Sequence, residues 1–386
     1  MRDAVICAAV RTPVGKRGGG LSGVHAVDLS ATVLDALVER TGIDPAVVED
    51  VFWGCVSQVG EQTFNIGRNA VLAAGWPESV PGTTIDRQCG SSQQTVAFAA
   101  ATVISGQADV VVAGGVESMS RVPMGAARAD GSAGKPLGPR FLERYGGVFP
   151  NQGIGAEMIA ERWGFSRTQL DEFSLASHEK AAKAQADGAF EEEIVPVTTP
   201  DGTVVSADEG IRPGGTLEKL GSLKTPFKED GVISAGNASQ ISDGSAALLV
   251  TTSERARELG LRPLVRIHTT VMAGDDPVIM LTAPIPATHK LLQRSGLSLG
   301  DIGVFEVNEA FAPVPLAWQA ETGADTDRLN PRGGAIALGH PLGASGARIM
   351  TTLVHTMQAT GTRYGLQTMC EGGGMANATI LELVTD

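Results

Sequence analysis

Two stretches of this sequence, one in each half, predict the same order of structural elements. In each, a turn is followed by a helix, a strand and a turn of consecutive glycines. Residue identity between the stretches is low, so the match indicates a structural duplication. Because alternating strands and helices pack as sheets covered by helices, it predicts an α/β fold. The elements are the turn at Cys89, helix 93–105, strand 109–113 and Gly114-Gly115, and then the turn 339–346, helix 347–358, strand 364–369 and glycines 372–374.

The sequence between these stretches has a different texture, because glycine, proline and charged residues become more frequent. Segments 131–140 and 196–215 show the change. A segment this long that keeps apolar residues is not a linker, so we predict an inserted substrate-binding lobe with helices near 154–163 and 168–188. The predicted division is an N-terminal half at 1–118 completed by about 241–263, a lobe at 119–240 and a C-terminal half at 264–386.

Charge and cysteine content exclude several classes of protein. The formal net charge of −13 argues against a general nucleic-acid binder, which needs basic surface to neutralise phosphates. The four cysteines form no CxxC pair, so no metal site is predicted, and sparse unpaired cysteines suit a reducing cytoplasm. No run approaches the ~20 apolar residues of a membrane span, so no membrane partner is expected.

Cys89 lies between a short apolar run and the first predicted helix. A thiol at a helix N terminus feels the positive end of the helix dipole and unpaired backbone N–H groups, and both favour the reactive thiolate. A lone cysteine is more often a small buried hydrophobic residue. Gly90 and the two serines after it favour a nucleophile, so the local sequence leaves both interpretations open.

Two further residues on glycine-rich turns carry compatible chemistry. His340 has glycines on both sides and Pro341 after it, so the backbone can pack around the imidazole while a ligand approaches. Cys370 precedes three glycines, whose N–H groups can converge on an anion. A nucleophile, a base and a second thiol together predict an acyl-transfer site. The alternatives are a turn histidine in water and a glycine hairpin with an inert cysteine.

Two other motifs are ambiguous. Asn308 follows a predicted strand at 304–307 and either orients a water or a carbonyl, or caps a helix. Gly18-Gly19-Gly20-Leu21-Ser22-Gly23 matches the dinucleotide fingerprint GxGxxG. Pro13 and Lys16 lie between it and the preceding strand, whereas the fingerprint needs its glycines directly at a strand–helix turn. A nicotinamide oxidoreductase is therefore the weakest of the functions considered.

Six motifs occur along the chain in the order found in the thiolase family. They are Arg11-Thr12-Pro13-Val14-Gly15, Asp86-Arg87-Gln88-Cys89-Gly90-Ser91, Ala235-Gly236-Asn237-Ala238-Ser239, Asn308-Glu309-Ala310-Phe311, the segment 333–346 and Cys370-Glu371-Gly372-Gly373-Gly374. The sequence thus resembles the thiolase family over essentially its whole length. The resemblance implies the thiolase fold, with two similar βαβαβαββ halves in α/β/α/β/α layers and an inserted loop lobe.

The resemblance also implies a role for each candidate residue. Cys89 would be the nucleophile that carries the acyl group, His340 would take its proton and help bind the thioester oxygen, and Cys370 would be the acid/base at the acetyl carbon. Asn308 would hold a water in one oxyanion hole, and the backbone N–H groups of Cys89 and Gly372 would form the second. Coenzyme A would be a co-substrate, with no permanently bound cofactor. Its expected contacts are Arg212, Leu223, Phe227, Ala235, Ser239, Ala310 and Phe311.

The chain departs from the family pattern at several positions. Asp86 stands where the family commonly has Asn, and its charge would raise the pKa of the nucleophile or pair with Arg87. Asn151-Gln152 replaces the His-Met pair of short-chain enzymes, while Met280 keeps a pocket residue of the family. Lys219 replaces a small polar residue near the expected adenine site, where it would meet a CoA phosphate.

We therefore predict a cytoplasmic thiolase, assembled as a homodimer or homotetramer. It would cleave 3-oxoacyl-CoA to acetyl-CoA and a shortened acyl-CoA in fatty-acid or steroid degradation. The first alternative is a short-chain acetoacetyl-CoA thiolase. A ketoacyl-synthase-type condensing enzyme is disfavoured because such enzymes typically use a second histidine where Asn308 lies. A nonenzymatic acyl-CoA carrier is disfavoured because both thiols and His340 are present.

Overall fold

The computed structural model of the protein describes residues 2–385 except 129, 130, 132 and 133. Its strands are β1 (Val5–Arg11), β2 (Gly15–Lys16), β3 (Asp50–Gly54), β4 (Thr83–Ile85), β5 (Val110–Ser118), β6 (Val197–Thr198), β7 (Val204–Val205), β8 (Ser242–Thr251), β9 (Val265–Gly274), β10 (Val304–Val307), β11 (Tyr364–Glu371) and β12 (Met375–Leu383). Its α-helices are α1 (Ala26–Thr41), α2 (Ile66–Ala73), α3 (Ser91–Ser105), α4 (Pro139–Arg144), α5 (Gln152–Trp163), α6 (Arg167–Ala186), α7 (Leu217–Gly221), α8 (Ser253–Glu258), α9 (Pro284–Ser295), α10 (Pro313–Thr322), α11 (Ala335–Leu338) and α12 (Leu342–Thr360). None of these helices combines the length and apolarity that crossing a bilayer requires.

Ten strands of the described residues form one sheet, and the strand order repeats itself within it. The order is β10-β11-β12-β9-β1-β8-β5-β3-β4, and β2 pairs with β8. In the N-terminal part, β5 runs parallel to β3 and antiparallel to β8. In the C-terminal part, β11 runs parallel to β10 and antiparallel to β12. The same order and directions in both parts confirm the predicted duplication.

The two half sheets meet at a narrow junction, and helices lie between them and outside them. β1 and β9 pair through Val5 with Arg266 and Ile6 with Val265. Side chains of α3 and α12 share one apolar core with strands of both half sheets. The outer face of the N-terminal half sheet is covered by α1 and α2, and that of the C-terminal half sheet by α9 and α10. The layers are therefore α/β/α/β/α.

The two central helices, α3 and α12, approach each other closely. A Cβ atom added at Gly346 would lie 2.2 Å from the backbone nitrogen of Gln93, so a side chain is excluded there. The Ala347 backbone N–H donates to the Ser92 hydroxyl at 2.9 Å. Both helices were predicted, but they begin earlier than expected, at Ser91 and Leu342. Part of the predicted glycine turn 339–346 is therefore helical.

Two predictions about strand ends are wrong. Gly114-Gly115 lies inside β5 and not in a turn after it. Added Cβ atoms there would lie 2.4 Å from the Trp53 ring and 2.3 Å from the Gly343 carbonyl oxygen, so these glycines permit close packing. Cys370 also lies inside a strand, because β11 continues to Glu371. In both cases a neighbouring strand continues the ladder of hydrogen bonds past the expected end.

The lobe contains both predicted helices, as α5 and α6, together with α4, α7 and the β6–β7 hairpin. Ser166 starts α6 with a capping box: its hydroxyl accepts from the Gln169 backbone, while the Gln169 side chain accepts from the Ser166 N–H. Apolar residues of α5 share a core with α10 and with Cys370. The lobe is therefore packed against the centre of the molecule. The exact bounds of halves and lobe stay a prediction.

Candidate active site

Cys89 lies at a sharp turn between β4 and α3. Gln88, just before it, has a φ of +49°, a left-handed conformation that is uncommon for a residue other than glycine. The Ser91 hydroxyl holds the turn, because it donates to the Gln88 carbonyl at 2.6 Å and accepts from the Arg87 backbone N–H at 2.9 Å. The Cys89 side chain is thereby fixed at the start of α3, where the residue is 9% exposed.

Burial, and not the helix terminus, dominates the acidity of Cys89. Burial and the charges of Glu371 and Glu117 raise the pKa of the thiol to about 12. Hydrogen bonds from the backbone N–H groups of Cys89 and Gly372 oppose this rise. The helix start thus acts in the predicted direction but is outweighed. Two N–H groups from opposite halves of the chain converge on one sulfur.

His340 is held as a neutral imidazole with one defined tautomer. The Ser345 hydroxyl donates its single proton to the Pro341 carbonyl at 2.8 Å, so it accepts at 2.5 Å from His340 Nδ1–H. His340 Nε2 then carries the lone pair, and it has no hydrogen-bond partner among the described residues. Burial and the Arg348 charge lower the pKa of His340 to about 3. The imidazole is therefore ready to accept a proton at Nε2.

The segment around His340 is anchored to the N-terminal half. The His340 backbone N–H donates to the Gln240 carbonyl at 3.2 Å. Gly339 has a φ of +102°, and an added Cβ would lie 2.3 Å from the Ser242 hydroxyl, so glycine is required there. The Glu117 carboxylate accepts from the Gly343 N–H at 2.9 Å. The imidazole is thus positioned by strands and loops that precede it by about a hundred residues or more.

Cys370 faces the first thiol from the end of β11. Burial raises the pKa of Cys370, and charge on Cys89 and on Glu371 raises it further. The thiols are therefore close enough for the charge of one to oppose ionisation of the other. Cys370 is fully buried in an apolar cluster with Met280 and Phe311.

Asn308 is buried and is not a helix cap. Its side-chain oxygen and nitrogen both lack partners among the described residues, although the residue is only 2% exposed. The following helix, α10, is instead preceded by Ala312 at its N-cap. A buried amide with two unsatisfied atoms fits a site that holds a water or a polar ligand group. Of the two interpretations open from the sequence, the structure favours this one.

The structure brings some of the expected CoA contacts together. The Phe227 and Phe311 rings meet edge to face, with their centroids 6.1 Å apart. The Ser239 backbone N–H donates to the Ala310 carbonyl at 2.9 Å. Ala310 and Phe311 belong to the apolar cluster that contains Cys370, and Phe227 packs against it. The remaining three contacts are exposed: Arg212, Leu223 and Ala235.

Two of the expected pocket residues have structural partners. The Asn151 side chain caps α5 by accepting from the backbone N–H groups of Gly153 and Ile154 at 2.9 and 3.2 Å. The Gln152 amide donates to the Met124 sulfur at 3.7 Å. Neither contact excludes the second function that the sequence predicts for these residues. Their role in a substrate pocket therefore stays a prediction.

Met280 combines burial with an unusual backbone. It is 7% exposed, and its φ of +63° is left-handed. Its Cβ lies 3.7 Å from the position that a Cβ at Gly155 would occupy. Met280 therefore shares one apolar cluster with Cys370 and with residues of α5 in the lobe.

Asp86 and Lys219 also lie at defined places. The Asp86 carboxylate accepts from the Gln88 backbone N–H at 2.7 Å and so supports the turn before Cys89. Among the described residues it forms no ion pair with Arg87, whose charge acts instead on Glu371. Asp86 raises the pKa of Cys55, not that of Cys89. Both expectations for Asp86 are thus wrong. Lys219 is exposed in α7, on the surface of the lobe.

The glycine-rich segment 18–23 already binds a carboxylate of its own chain. Glu209 accepts from the backbone N–H groups of Lys16 and Gly20 at 3.0–3.1 Å. The segment forms a short 3₁₀ helix at Gly20–Gly23 and not the first turn of an α-helix. These contacts support the rejection of a dinucleotide site.

Sequence reasoning missed three residues that shape the site. Ser345 sets the tautomer of His340, and its position four residues after Pro341 at a helix start was an available signal. Glu117 and Glu371 are buried carboxyls at the ends of β5 and β11. No local pattern marked them, because their neighbours come from distant parts of the chain.

Comparison with known proteins identifies the family. Family models described as the thiolase N-terminal domain and the thiolase C-terminal domain match residues 4–254 and 261–383. The chain belongs to the thiolase family. As a thiolase it is an acyltransferase, and the reaction of the family is CoA-dependent thiolytic cleavage. No group of three or more His, Cys, Asp or Glu side chains suited to a metal ion occurs in the part of the chain that the structure describes.

Several thiolases are similar over nearly the full length of the chain. A steroid 3-ketoacyl-CoA thiolase, FadA6, of Mycobacterium tuberculosis is 50% identical over 99% of this chain and 94% of its own length. A beta-ketoadipyl-CoA thiolase of Escherichia coli is 45% identical over the whole of both chains. The crystal structure of the Bacillus anthracis acetyl-CoA acetyltransferase superposes with a TM-score of 0.92 at 40% identity, over 100% of this chain and 99% of that one. These similarities confirm the predicted fold.

Proposed function

We propose that this thiolase cleaves 3-oxoacyl-CoA through an acyl group carried on Cys89, with His340 and Cys370 moving the protons. The observation that carries the proposal is the electrostatic coupling of the two thiols, together with two backbone N–H groups that act on Cys89. Hydrogen bonds from the backbone N–H groups of Cys89 and Gly372 lower the pKa of the Cys89 thiol, and charge on that sulfur raises the pKa of Cys370. His340 precedes α12, whose Leu342 belongs to the apolar cluster of Cys89, and among the described residues its Nε2 has no hydrogen-bond partner.

In the first half-reaction, His340 takes the proton of Cys89 and the thiolate attacks C3 of the substrate. The proton stays on sulfur in the free enzyme, because the pKa of the thiol is about 12 and that of the imidazole is about 3. Transfer becomes favourable when thiolate and imidazolium stabilise each other in a site closed by substrate. The C2–C3 bond then breaks, and the electron pair leaves as the enolate of acetyl-CoA.

The second thiol completes this half-reaction and starts the next. Cys370 gives its proton to C2 of the enolate, and acetyl-CoA departs. The Cys370 thiolate then takes the proton of an incoming CoA thiol. The CoA thiolate attacks the acyl group on Cys89, releases the shortened acyl-CoA and returns the Cys89 thiolate, which recovers its proton from His340. Two thiols are needed because one carries the acyl group while the other protonates the enolate carbon in the same turnover.

Two groups of donors would bind the negative oxygens of these intermediates. The N–H groups of Cys89 and Gly372 suit the oxygen of a tetrahedral centre on Cys89. Asn308, whose side-chain oxygen and nitrogen have no partners among the described residues, suits a water that, with His340, binds the thioester oxygen of the enolate. CoA itself would lie across the lobe, with Phe227, Ala310 and Phe311 at the pantetheine end. Arg212 and Lys219 would lie nearer the phosphates.

Trapping the acyl group tests this proposal most directly. The enzyme is incubated with a 3-oxoacyl-CoA without free CoA, quenched and digested, and the adduct is located by mass spectrometry. We expect the acyl group on Cys89 and no turnover by Cys89→Ala. Cys7→Ala is the matched control, because Cys7 is a buried thiol on β1 and should lose nothing. An adduct confined to another cysteine, with Cys89→Ala active, would refute the assignment.

The substrate we propose is a longer or branched 3-oxoacyl-CoA of a degradative route. Two relatives with the highest similarity described above are named for steroid 3-ketoacyl-CoA and beta-ketoadipyl-CoA. Asn151-Gln152 stands where short-chain enzymes have His-Met, and Met280 packs in one apolar cluster with Cys370 and residues of α5. The second candidate is acetoacetyl-CoA, which is favoured by the similarity to an acetyl-CoA acetyltransferase structure.

Kinetics with a series of substrates separates these candidates. We expect kcat/KM for at least one longer, branched or steroid-derived 3-oxoacyl-CoA to exceed that for acetoacetyl-CoA. One methylene in an apolar pocket is worth ~1–3 kcal/mol, or roughly 10–200-fold, so the preference is measurable. A steady fall of kcat/KM from the four-carbon substrate upward would show instead that the enzyme is an acetoacetyl-CoA thiolase.

The edge of the sheet supports self-association. β4 ends the strand order, and beside it Phe98 and Ile104 of α3 are 43% and 45% exposed. Phe52 and Ile85 line a surface groove together with Phe98. An unpaired edge next to exposed apolar side chains is suited to a second copy of the chain. A monomeric mass in light scattering would contradict this. The cytoplasmic location and the lack of a resident cofactor stay predictions.

A further inference from the structure

Glu371 is a buried carboxyl that the proposed reaction does not use. It is the last residue of β11, directly after Cys370, and it has no exposed surface. Its carboxylate lies against the backbone directly after Cys89: a Cβ added at Gly90 would be 1.9 Å from Glu371 Oε1. Glu371 therefore lies between the segments that carry the two thiols.

The carboxyl has few partners for so buried a group. The Asn377 side-chain amide, oriented so that both its polar atoms are satisfied, donates to Glu371 Oε1 at 3.1 Å. Oε2 has no hydrogen-bond partner among the described residues. The Asn377 backbone N–H also lowers the pKa of Glu371. A buried carboxylate whose described donors all lie on Asn377, with one oxygen free, is costly, so this environment favours the protonated form.

The charges around Glu371 are few and come from three segments. Arg87, in the turn before the nucleophile, is the cation that acts on it. Cys89 and Cys370 are the groups whose own pKa values Glu371 raises. Glu117, across the site at the end of β5, adds a second negative charge toward Cys89. Burial raises the pKa of Glu371 to about 8, despite Arg87.

We propose that Glu371 is a positioning residue that lets the two thiols hold one negative charge while its carboxyl is neutral and suppresses that charge when it ionises. The inference rests on the roles proposed for Cys89 and Cys370. It follows from where the carboxyl lies, since its negative charge would be shared with any thiolate at either sulfur. The coupling is mutual: a thiolate on Cys89 keeps the proton on Glu371, and a carboxylate at Glu371 keeps the proton on Cys89.

The consequence is a limit on thiol reactivity at alkaline pH. Below about pH 8, Glu371 is neutral and does not oppose the thiolate. Above that pH the carboxylate forms beside Gly90, so the gain in thiolate expected from rising pH is partly cancelled. Glu371→Gln keeps the shape and the contact with Asn377 but removes the charge, and the limit should disappear.

Alkylation of Cys89 by iodoacetamide measures the thiolate without any CoA ester. The rate is followed from about pH 6 to about pH 10 by quantifying the Cys89 peptide. We expect wild type and Glu371→Gln to react at the same rate near pH 7. Above about pH 8 the variant should become faster, by about tenfold, which is the size of effect expected for one nearby charge. Glu371→Met, measured in the same way, replaces the Gln variant if that protein does not fold.

Glu306→Gln is the matched control. Glu306 is another buried carboxyl whose pKa is raised to about 8, but it lies on β10 and does not act on either thiol. Its variant should follow the wild-type profile. Profiles of wild type and Glu371→Gln that superpose, or that differ by the same factor at every pH, would overturn the inference, as would a control that behaves like Glu371→Gln.

The failures of this inference and of the proposed function look different. Superposed alkylation profiles in an enzyme that is acylated on Cys89 by substrate would overturn the role of Glu371 alone. Separated profiles in an enzyme that is never acylated there would overturn the proposed function and support the effect of Glu371 on the thiol. The pH dependence of kcat/KM supplies the link: its alkaline limb should move to higher pH in Glu371→Gln.

Discussion

Glu117 and Glu371 lie near the ends of corresponding strands in the two halves, and both bear on the same sulfur. Glu117, near the end of β5, accepts four hydrogen bonds at 2.8–3.0 Å, from the backbones of Val56, Ser57 and Gly343 and from the Gln62 amide. Among the described residues, Glu371 at the end of β11 has donors only on Asn377, and its Oε2 is unsatisfied. Burial raises the pKa of both, but at Glu117 four donors oppose it.

This difference shows that strand position does not decide what a buried carboxyl does. The donors around it do, because they determine whether the charged form is tolerated. Glu117 ties the His340 segment to the N-terminal half and is a structural anchor. Glu371 lacks such donors and is free to change its charge. The duplicated fold therefore provides two equivalent positions near the ends of β5 and β11, and the residues around each position decide whether its carboxyl is held charged or can change its charge.

The starts of the two central helices also carry different residues, since Cys89 precedes α3 and His340 precedes α12. The largest expected effect tests whether these residues have different roles in the reaction. In the proposed mechanism, the N-terminal half supplies the nucleophile, and the C-terminal half supplies both proton carriers. His340→Ala should impair acylation of Cys89, whereas Cys370→Ser should keep acylation by an acyl-CoA donor but lose exchange of the acetyl α-protons. Each loss should be ~10²–10⁴-fold, as is usual for general acid–base groups.

Single-turnover acylation and deuterium exchange into acetyl-CoA measure the two steps separately. Losses below about tenfold would argue against a general acid–base role. Proton exchange in Cys370→Ser equal to that of the wild type would show that the two residues do not divide the work.

The next largest effect is on stability and concerns Glu117. Glu117→Gln turns an NH₂ group toward backbone donors that need an acceptor, and each buried donor left unsatisfied costs ~1–3 kcal/mol. We expect a lower free energy of unfolding and a clear fall in the midpoint of urea unfolding at neutral pH. Glu371→Gln is the matched control, because it leaves no backbone donor without an acceptor and removes a group that costs stability at this pH, so it should not lower the free energy of unfolding. An equal loss of unfolding free energy in both variants would contradict the distinction between Glu117 as a structural anchor and Glu371 as a carboxyl that changes its charge.

The smallest effect is the pH dependence of stability that Glu371 adds. Its pKa is raised from 4.5 to about 8 in the folded chain, so the folded state keeps a proton that the unfolded state releases. Stability from this group is therefore lost progressively as pH rises from about 4.5 to about 8. The Tm of Glu371→Gln minus that of the wild type should grow over this window and then level off. A difference independent of pH would mean that the carboxyl does not titrate in the folded protein.

Much of the fold could be predicted from the sequence, because it depends on local patterns of residues. The turn–helix–strand order around Cys89 and His340 predicted the two central helices and the duplication. Gly114-Gly115 was misread because a glycine pair looks the same in a turn and at a close approach of strand and helix. The meaning of that pair depends on Trp53 and Gly343, which local sequence does not bring near it.

Candidate site residues could be predicted from the sequence where the chemistry requires a particular residue type. Cys89, His340, Cys370 and Asn308 are recognisable by what they can do, and the structure brings thiols, imidazole and amide to the ends of adjoining elements. Glu371 was not recognised, because its importance comes from contact with Gly90 in the other half. The prediction for Asp86 is wrong for the opposite reason. Its closeness to Cys89 in sequence suggested that its charge raises the pKa of that thiol, but its carboxylate instead accepts a hydrogen bond from the Gln88 backbone.

The strand order has a consequence for how the chain is synthesised. β8 lies between β1 and β5, so these two strands lack their common pairing partner until residue 251 has left the ribosome. Gly372, which gives the second N–H to Cys89, is made later still. At about 5–20 residues per second, tens of seconds separate the synthesis of the nucleophile from that of its last partner. The nascent chain thus carries its thiol through most of translation before the groups that make it a catalyst exist.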